Sequence, residues 1–202
     1  MRLRSLQGAF GVFLNGLVMI ALGACFEQAE ALDFSGDRIV KSGRSVVTAH
    51  INAKDDRWRF EFAEPQGGAS VIIVRDDLGT AWLIFSKRRL YVEEPIARRH
   101  RLTVSEKMEG EISREFVGDE TLNGYPTELF EVTVAEGENT QQYYRWITKT
   151  QRFPLKTVSK RGDWSEEFRR VVFTEQSLFL FELPQRLDPA KPPATAQPSL
   201  TD

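Results

Sequence analysis

Downstream of residue 25 the sequence has no cysteine, and all 202 residues contain only one. A domain folded from that downstream chain has no disulfide to restrain it, so its stability must come from its core. Histidine is almost as scarce. His50 and His100 are the only two, neither in H-x-x-x-H nor in H-x-x-E spacing, so no zinc-type site is expected. No G-x-S-x-G elbow occurs. The adjacent carboxylates Asp76/Asp77 and Glu93/Glu94 would point to opposite faces of a strand, so neither pair forms an obvious acid–base dyad. Nothing here indicates an enzyme, and no cofactor or metal is expected. Charge of one sign is lacking too. Lys and Arg number 27 against 29 Asp and Glu, and the two signs are interspersed, which argues against a nucleic-acid partner. No internal repeat of solenoid or propeller period is visible.

What is present begins with an export signal. Arg2 and Arg4 precede an apolar run from about Ala9 to Phe26, broken by Asn15, Gly11 and Gly16. No basic stop-transfer cluster follows it, and the next charges are Glu27 and Glu30, so the run reads as a secretory signal rather than a membrane span. Two cleavage sites fit. Ala29-Glu30-Ala31 suits an ordinary signal peptidase, giving a signal peptide over 1–31 and a periplasmic product. Leu22-Gly23-Ala24-Cys25 instead resembles a bacterial lipobox, with a signal over 1–24 and a lipidated Cys25 anchoring the protein at the outer membrane. The strand pattern starting at Phe34 leaves little spacer after Cys25, which favours the first. At the other end, four of the 9 prolines follow Asp188, and residues 185–202 read as a Pro-rich disordered tail. One domain, 32–184, lies between, long enough for a core of its own.

That domain has a period of two. In "RWRFEF" Trp58, Phe60 and Phe62 share a face; in "ELFEVTV" Phe130, Val132 and Val134 do; in "QYYRWIT" Tyr144 and Trp146 oppose Tyr143, Arg145 and Ile147. This is the pattern of half-buried strands. Turn signals such as Asp77-Leu78-Gly79, Asn123-Gly124 and Glu136-Gly137 separate the runs at hairpin spacing. Strands are expected near 33–42, 44–53, 57–64, 69–76, 80–86, 89–93, 114–121, 126–135, 140–148, 153–160, 164–174 and 178–182. The 95–112 stretch is charged and lacks an apolar stripe, so it fits a loop or a short helix. An antiparallel meander with so many aromatics must cover its apolar face by curling, by a lid or with a ligand.

Four segments, in order, carry a resemblance: "VIIVRDDLGTAWLIFSKRRLYVEE", "FVGDETLNGYPTELFEVTV", "YYRWITKTQRFPLK" and "LFLFELP". The chain from about 33 to 184 resembles the outer-membrane lipoprotein-sorting (LolA/LolB-like) superfamily. The matching positions are Arg75, Asp77, Trp82, Tyr91, Glu93, Gly118, Glu120, Gly124, Pro126, Trp146, Pro154, Lys156, Phe181 and Pro184. The resemblance implies a mainly β protein whose strongly curved antiparallel sheet forms an unclosed half-barrel. Its concave face would hold acyl chains of lipids or lipoproteins. The sequence itself offers little helix to cover that face.

The residues expected to line this apolar hollow are Trp58, Phe60, Phe62, Ile72, Val74, Trp82, Ile84, Phe130, Val132, Tyr144 and Trp146, where each buried methylene of a ligand would contribute about 0.8 kcal/mol. The alternative is an ordinary core filled by the chain's own lid, making the protein an envelope interaction or scaffold module with no lipid ligand. Two basic clusters, Lys87-Arg88-Arg89 and Arg98-Arg99-His100-Arg101, would either face anionic headgroups at a membrane, through Arg98, Arg99 and Arg101, or be solvated loop tips.

Overall fold

A computed structural model describes residues 32–190; the expected signal peptide, Cys25 and the end of the tail lie outside them. The alternating segments form β1 (Phe34–Ser42), β2 (Ser45–Lys54), β3 (Arg57–Gln66), β4 (Ala69–Arg75), β5 (Thr80–Phe85) and β6 (Leu90–Pro95). After a connector follow β7 (Glu111–Leu122), β8 (Tyr125–Glu136), β9 (Asn139–Thr148), β10 (Pro154–Ser159), β11 (Trp164–Phe173) and a two-residue β12 (Asp188–Pro189). Eleven of the expected strands are therefore present. The hairpin turns use the chemistry that the sequence offers: Asn123 and Gly124, with φ of 52° and 84°, close β7 onto β8, as a two-residue loop with both central φ positive requires.

All twelve strands lie in one sheet, ordered β12-β6-β5-β4-β3-β2-β1-β11-β10-β9-β8-β7. Two meanders meet where β1 pairs antiparallel with β11, from Phe34↔Phe173 to Ser42↔Trp164. The sheet is not closed: β6 and β7, consecutive in sequence, lie near opposite ends of the order. The sheet is nevertheless strongly curved. Tyr125 Oη donates to Val171 O at 2.8 Å and Asn123 Nδ2 to Phe168 O at 3.0 Å, although β9 and β10 separate β8 from β11 in the sheet order.

Because β6 and β7 lie so far apart in the sheet, the connector Ile96–Gly110 must cross it, and it does so on the concave side. Leu102 is buried there, and Ile96 and Val104 pack on the main core of Phe34, Ile51, Phe60, Phe153, Leu155 and Phe168. The rings of this core meet edge to face, Phe34–Phe153 at 4.8 Å and Phe153–Phe168 at 5.0 Å, a favoured aromatic arrangement. Only a 3₁₀ turn, Arg98–His100, interrupts this strap. Among the described residues there is no α-helix, and none is long and apolar enough to cross a membrane.

The segment after β11 departs from expectation. Residues 178–182 do not form a strand; Leu178–Phe181 is a 3₁₀ turn. It lies on the convex face, where fully buried Phe181 packs with Ile73 and Ile84, backed by Leu180, Leu183 and Leu187. Apolar residues at all four positions, Leu178 to Phe181, leave no polar face for a strand to turn to solvent, whereas a turn can drive Phe181 inward. Residues 185–190, assigned from sequence to a disordered tail, continue this cover and end with Asp188–Pro189 pairing parallel to Leu90–Tyr91 of β6.

Candidate binding hollow

On β3, the strand that faces the strap, Trp58, Phe60 and Phe62 stand opposite Ala53, Ile51 and Ala49 of β2. Trp58 and Phe62 thus each face only a methyl group across the strand pair. On the other side Phe60 opposes Ile72, which opposes Leu83 of β5. The result is a cavity of about 410 Å³ whose floor is Phe60, Phe62, Ile72 and Leu83, within the size range of small-molecule sites. The rings of Phe60 and Phe62 lie parallel, 6.3 Å apart.

Polar groups surround the mouth: Arg38, Gln66, and Arg99 and His100 of the strap. The charged members are balanced. Arg38 Nε donates to Glu166 at 2.6 Å, and Arg99 donates to Glu94, also at 2.6 Å. Glu94 opposes Ala81 of β5, on the concave face, and so meets the strap. His100, 2% exposed, accepts the Ala97 N–H at Nδ1 over 3.0 Å and brings Nε2 within 2.7 Å of Glu94. Burial pushes its pKa below the ordinary value, so at neutral pH the ring is neutral with its proton on Nε2.

The eleven residues expected to line the hollow divide between the two faces. Trp58, Phe60, Phe62, Ile72, Val74, Phe130 and Val132 lie on the concave side, and Phe60, Phe62 and Ile72 reach the cavity itself. Trp82 and Ile84 lie on the convex side, beneath the C-terminal segment. Tyr144 and Trp146 are also convex, covered by Lys160 and Lys156, whose amines sit 5.2 Å from the ring centres. The reason is the same in both cases. A four-residue link joins Arg75 to Thr80 and a two-residue turn joins Glu136 to Asn139. An even number of linking residues pairs even-numbered positions with odd ones, and a change of one flips every side chain. Ile73, not Ile72, therefore opposes Trp82, and Arg145 opposes Phe130. Loop length was the signal that would have selected Leu83 and rejected Trp82.

The same inversion brings in Arg145. It lies on the concave face, 5% exposed, donating to Thr157 Oγ1 at 3.3 Å and to the strap carbonyl of Ser105 at 2.5 Å. Its Nε has no partner, and burial lowers its pKa to about 10. Beside it Arg114 and Arg152 both reach Glu106, at 3.1 and 2.7 Å. Three arginines from β7, β9 and the turn after β9 thus fasten the strap at Ser105–Glu106.

The basic clusters fare differently. Arg99 is paired with Glu94, and Arg101 lies 3.5 Å from Asp76. Asp77, next in sequence, is held by Arg75 and Arg57, and the Arg75 guanidinium brings its pKa to about 2. Among the described residues no three His, Cys, Asp or Glu side chains gather as a metal site would require.

No family model matches the sequence, and no curated protein does. Solved structures do match. A crystal structure of MucB aligns at 14% identity and TM-score 0.56, covering 79% of this chain and 61% of that one. The MucA/MucB complex of Pseudomonas aeruginosa aligns at 15% identity and TM-score 0.52 over 75% and 56% of the two chains, and MucB in complex with MucA(peri) at 13% and 0.52 over 79% and 57%. A domain from Vibrio parahaemolyticus assigned to outer-membrane lipoprotein sorting aligns more loosely, at 14% identity and TM-score 0.32, over 74% of this chain and 88% of that one. This chain spans about three fifths or less of the MucB chains, and at these identities the likeness is one of fold. That shared fold, a single open and strongly curved β-sheet, is the one implied by the resemblance to the lipoprotein-sorting superfamily.

Proposed function

We propose that this is an exported, non-enzymatic binding protein of the bacterial cell envelope that takes an acyl chain of a lipid or lipoprotein into the hollow beneath its strap. One observation carries the reading: the concave face is not filled by its own side chains, and the 410 Å³ left open has a floor of Phe60, Phe62, Ile72 and Leu83. A chain laid on that floor leaves water at about 0.8 kcal/mol per methylene. The chemistry is shielding, and release follows when a membrane or partner competes for the chain. Signal cleavage after Ala31 makes the product periplasmic; cleavage before Cys25 makes it an anchored lipoprotein. Native mass spectrometry of protein purified from envelope extracts tests the reading. The expected result is a copurifying lipid that is lost in Ile72→Glu while the circular dichroism of the fold is kept. A ligand-free wild type that also fails to take up added lysophospholipid would refute it.

A second reading, a protein-binding module, rests on the free edge of the sheet. β7 exposes Ile112, Phe116 and Val117 along unpaired backbone groups, the surface that an added strand would use. MucB, similar in fold, is solved in complexes with MucA. Crosslinking in envelope extracts would separate the two readings, a β7-dependent protein adduct favouring this one.

A further inference from the structure

A further cavity adjoins the hollow, with which it shares Gly67. It measures about 340 Å³ and is lined by Pro65, Gly67, Gly68, Phe85, Lys87 and Arg88. The sequence of β5 explains how. Ala81, Leu83 and Phe85 alternate along one face, so the row that supplies the floor residue Leu83 continues about 7 Å further to Phe85 and then enters the 3₁₀ turn Ser86–Arg88. On the other wall the β3–β4 turn passes over Phe85 at Gly68, where φ is +89° and a Cβ would stand 3.4 Å from the ring. An apolar path therefore leads from the hollow to two cations.

Those cations differ from the others at the mouth. Arg38, Arg99 and Arg101 each have a carboxylate within reach. Lys87 and Arg88 are exposed and, among the described residues, neither has an ion-pair partner. An uncompensated pair of cations at the end of an apolar channel matches one ligand shape, a single chain ending in an anion.

Building on the proposed acyl-binding function, we infer that the ligand is a single-chain amphiphile with an anionic headgroup, its tail on Phe60, Phe62, Ile72 and Leu83 and its phosphate or carboxylate at Lys87 and Arg88. The combined hollow accepts one chain, and the charge at its end sets selectivity.

The test is displacement of an environment-sensitive fluorescent fatty-acid analogue, below micelle-forming concentrations. The competitors are lysophosphatidylglycerol and lysophosphatidylcholine with the same acyl chain, and glycerol phosphate without one. The anionic lysolipid is expected to bind about tenfold more tightly than the zwitterionic one at low salt. This preference should collapse to within about twofold in Lys87→Gln/Arg88→Gln and in high salt, where screening is strong, because the anionic lysolipid loses far more affinity than the zwitterionic one. Equal affinities in the wild type, or a preference that survives the double substitution, would overturn the headgroup assignment and leave the hollow standing. Competition by glycerol phosphate as strong as that of the lysolipid would overturn the amphiphile. Binding of neither lysolipid would remove the acyl-binding reading itself.

Discussion

His100 ties the strap to β6 through Nε2, 2.7 Å from Glu94, and braces the strap itself through Nδ1. Its Nδ1 accepts the Ala97 N–H, which it can do only while that nitrogen is unprotonated, and burial disfavours the imidazolium. The folded state therefore binds a proton less readily than the unfolded chain, whose value is near 6.5. Stability from this group is complete above that value and is lost as pH falls through the depressed folded value. The urea midpoint should drop between pH 7 and pH 5 in the wild type, and His100→Gln should flatten that drop. The carboxylates with lowered values, Asp77 and Glu106 among them, act only at more acidic pH, so the two effects separate on the pH axis. Arg145 poses the opposite problem, a buried cation with an unsatisfied Nε. Among the described residues no carboxylate pairs with this guanidinium, and its bonds go to neutral oxygens of Thr157 and Ser105, so relief of the buried charge offsets the loss of those bonds in an apolar variant. Arg145→Met should leave global stability within about 1 kcal/mol of wild type in a urea titration, yet speed hydrogen exchange in the strap around Ser105.

At the scale of elements, the strap and the C-terminal segment differ in what holds them. The strap is fastened near Glu106 by ion pairs to Arg114 and Arg152, with Glu106 itself partly exposed. Pairs of that kind contribute about 1 kcal/mol or less. Glu106→Gln should barely move the thermal midpoint while amide exchange across 102–110 accelerates; an unchanged exchange pattern would mean that the apolar contacts of Leu102 hold the strap alone. The C-terminal segment is pinned by Phe181, fully buried. Phe181→Ala should cost roughly 3–5 kcal/mol by denaturant unfolding. This segment is also where the sequence was hardest to read. Eleven strands were legible because period-two patterns between turn residues are local signals. "LFLFELP" alternates nothing polar, so only the uncovered Ile73 and Ile84 across the sheet decide its conformation. The site was half legible for a related reason: which residues share a face within one strand is local, but which face of the next strand joins them depends on the number of linking residues. Phe60 and Phe62 share the concave face, as their spacing within one strand implies, while Trp82, Ile84, Tyr144 and Trp146 lie on the convex face.

For the whole molecule, the order of strands explains the hollow. Two meanders joined through β1 and β11 leave consecutive strands far apart, so the connector must cross the concave face and becomes its lid without any α-helix. The lid is narrow, and room remains over β3, β4 and β5, above Phe60, Phe62, Ile72 and Leu83. The ends of the sheet are treated unequally: β12 covers part of β6, and β7 is left open. A titration of isotope-labelled protein with lysophosphatidylglycerol, followed by NMR, tests the central claim that this uncovered part of the concave face takes an acyl chain. Saturable shifts should centre on Phe60, Phe62, Ile72, Leu83 and the strap at Arg99–His100, with Trp82 and Phe181 on the convex face left in place. Shifts centred on the convex face, or none at lysolipid concentrations just below micelle formation, would contradict it.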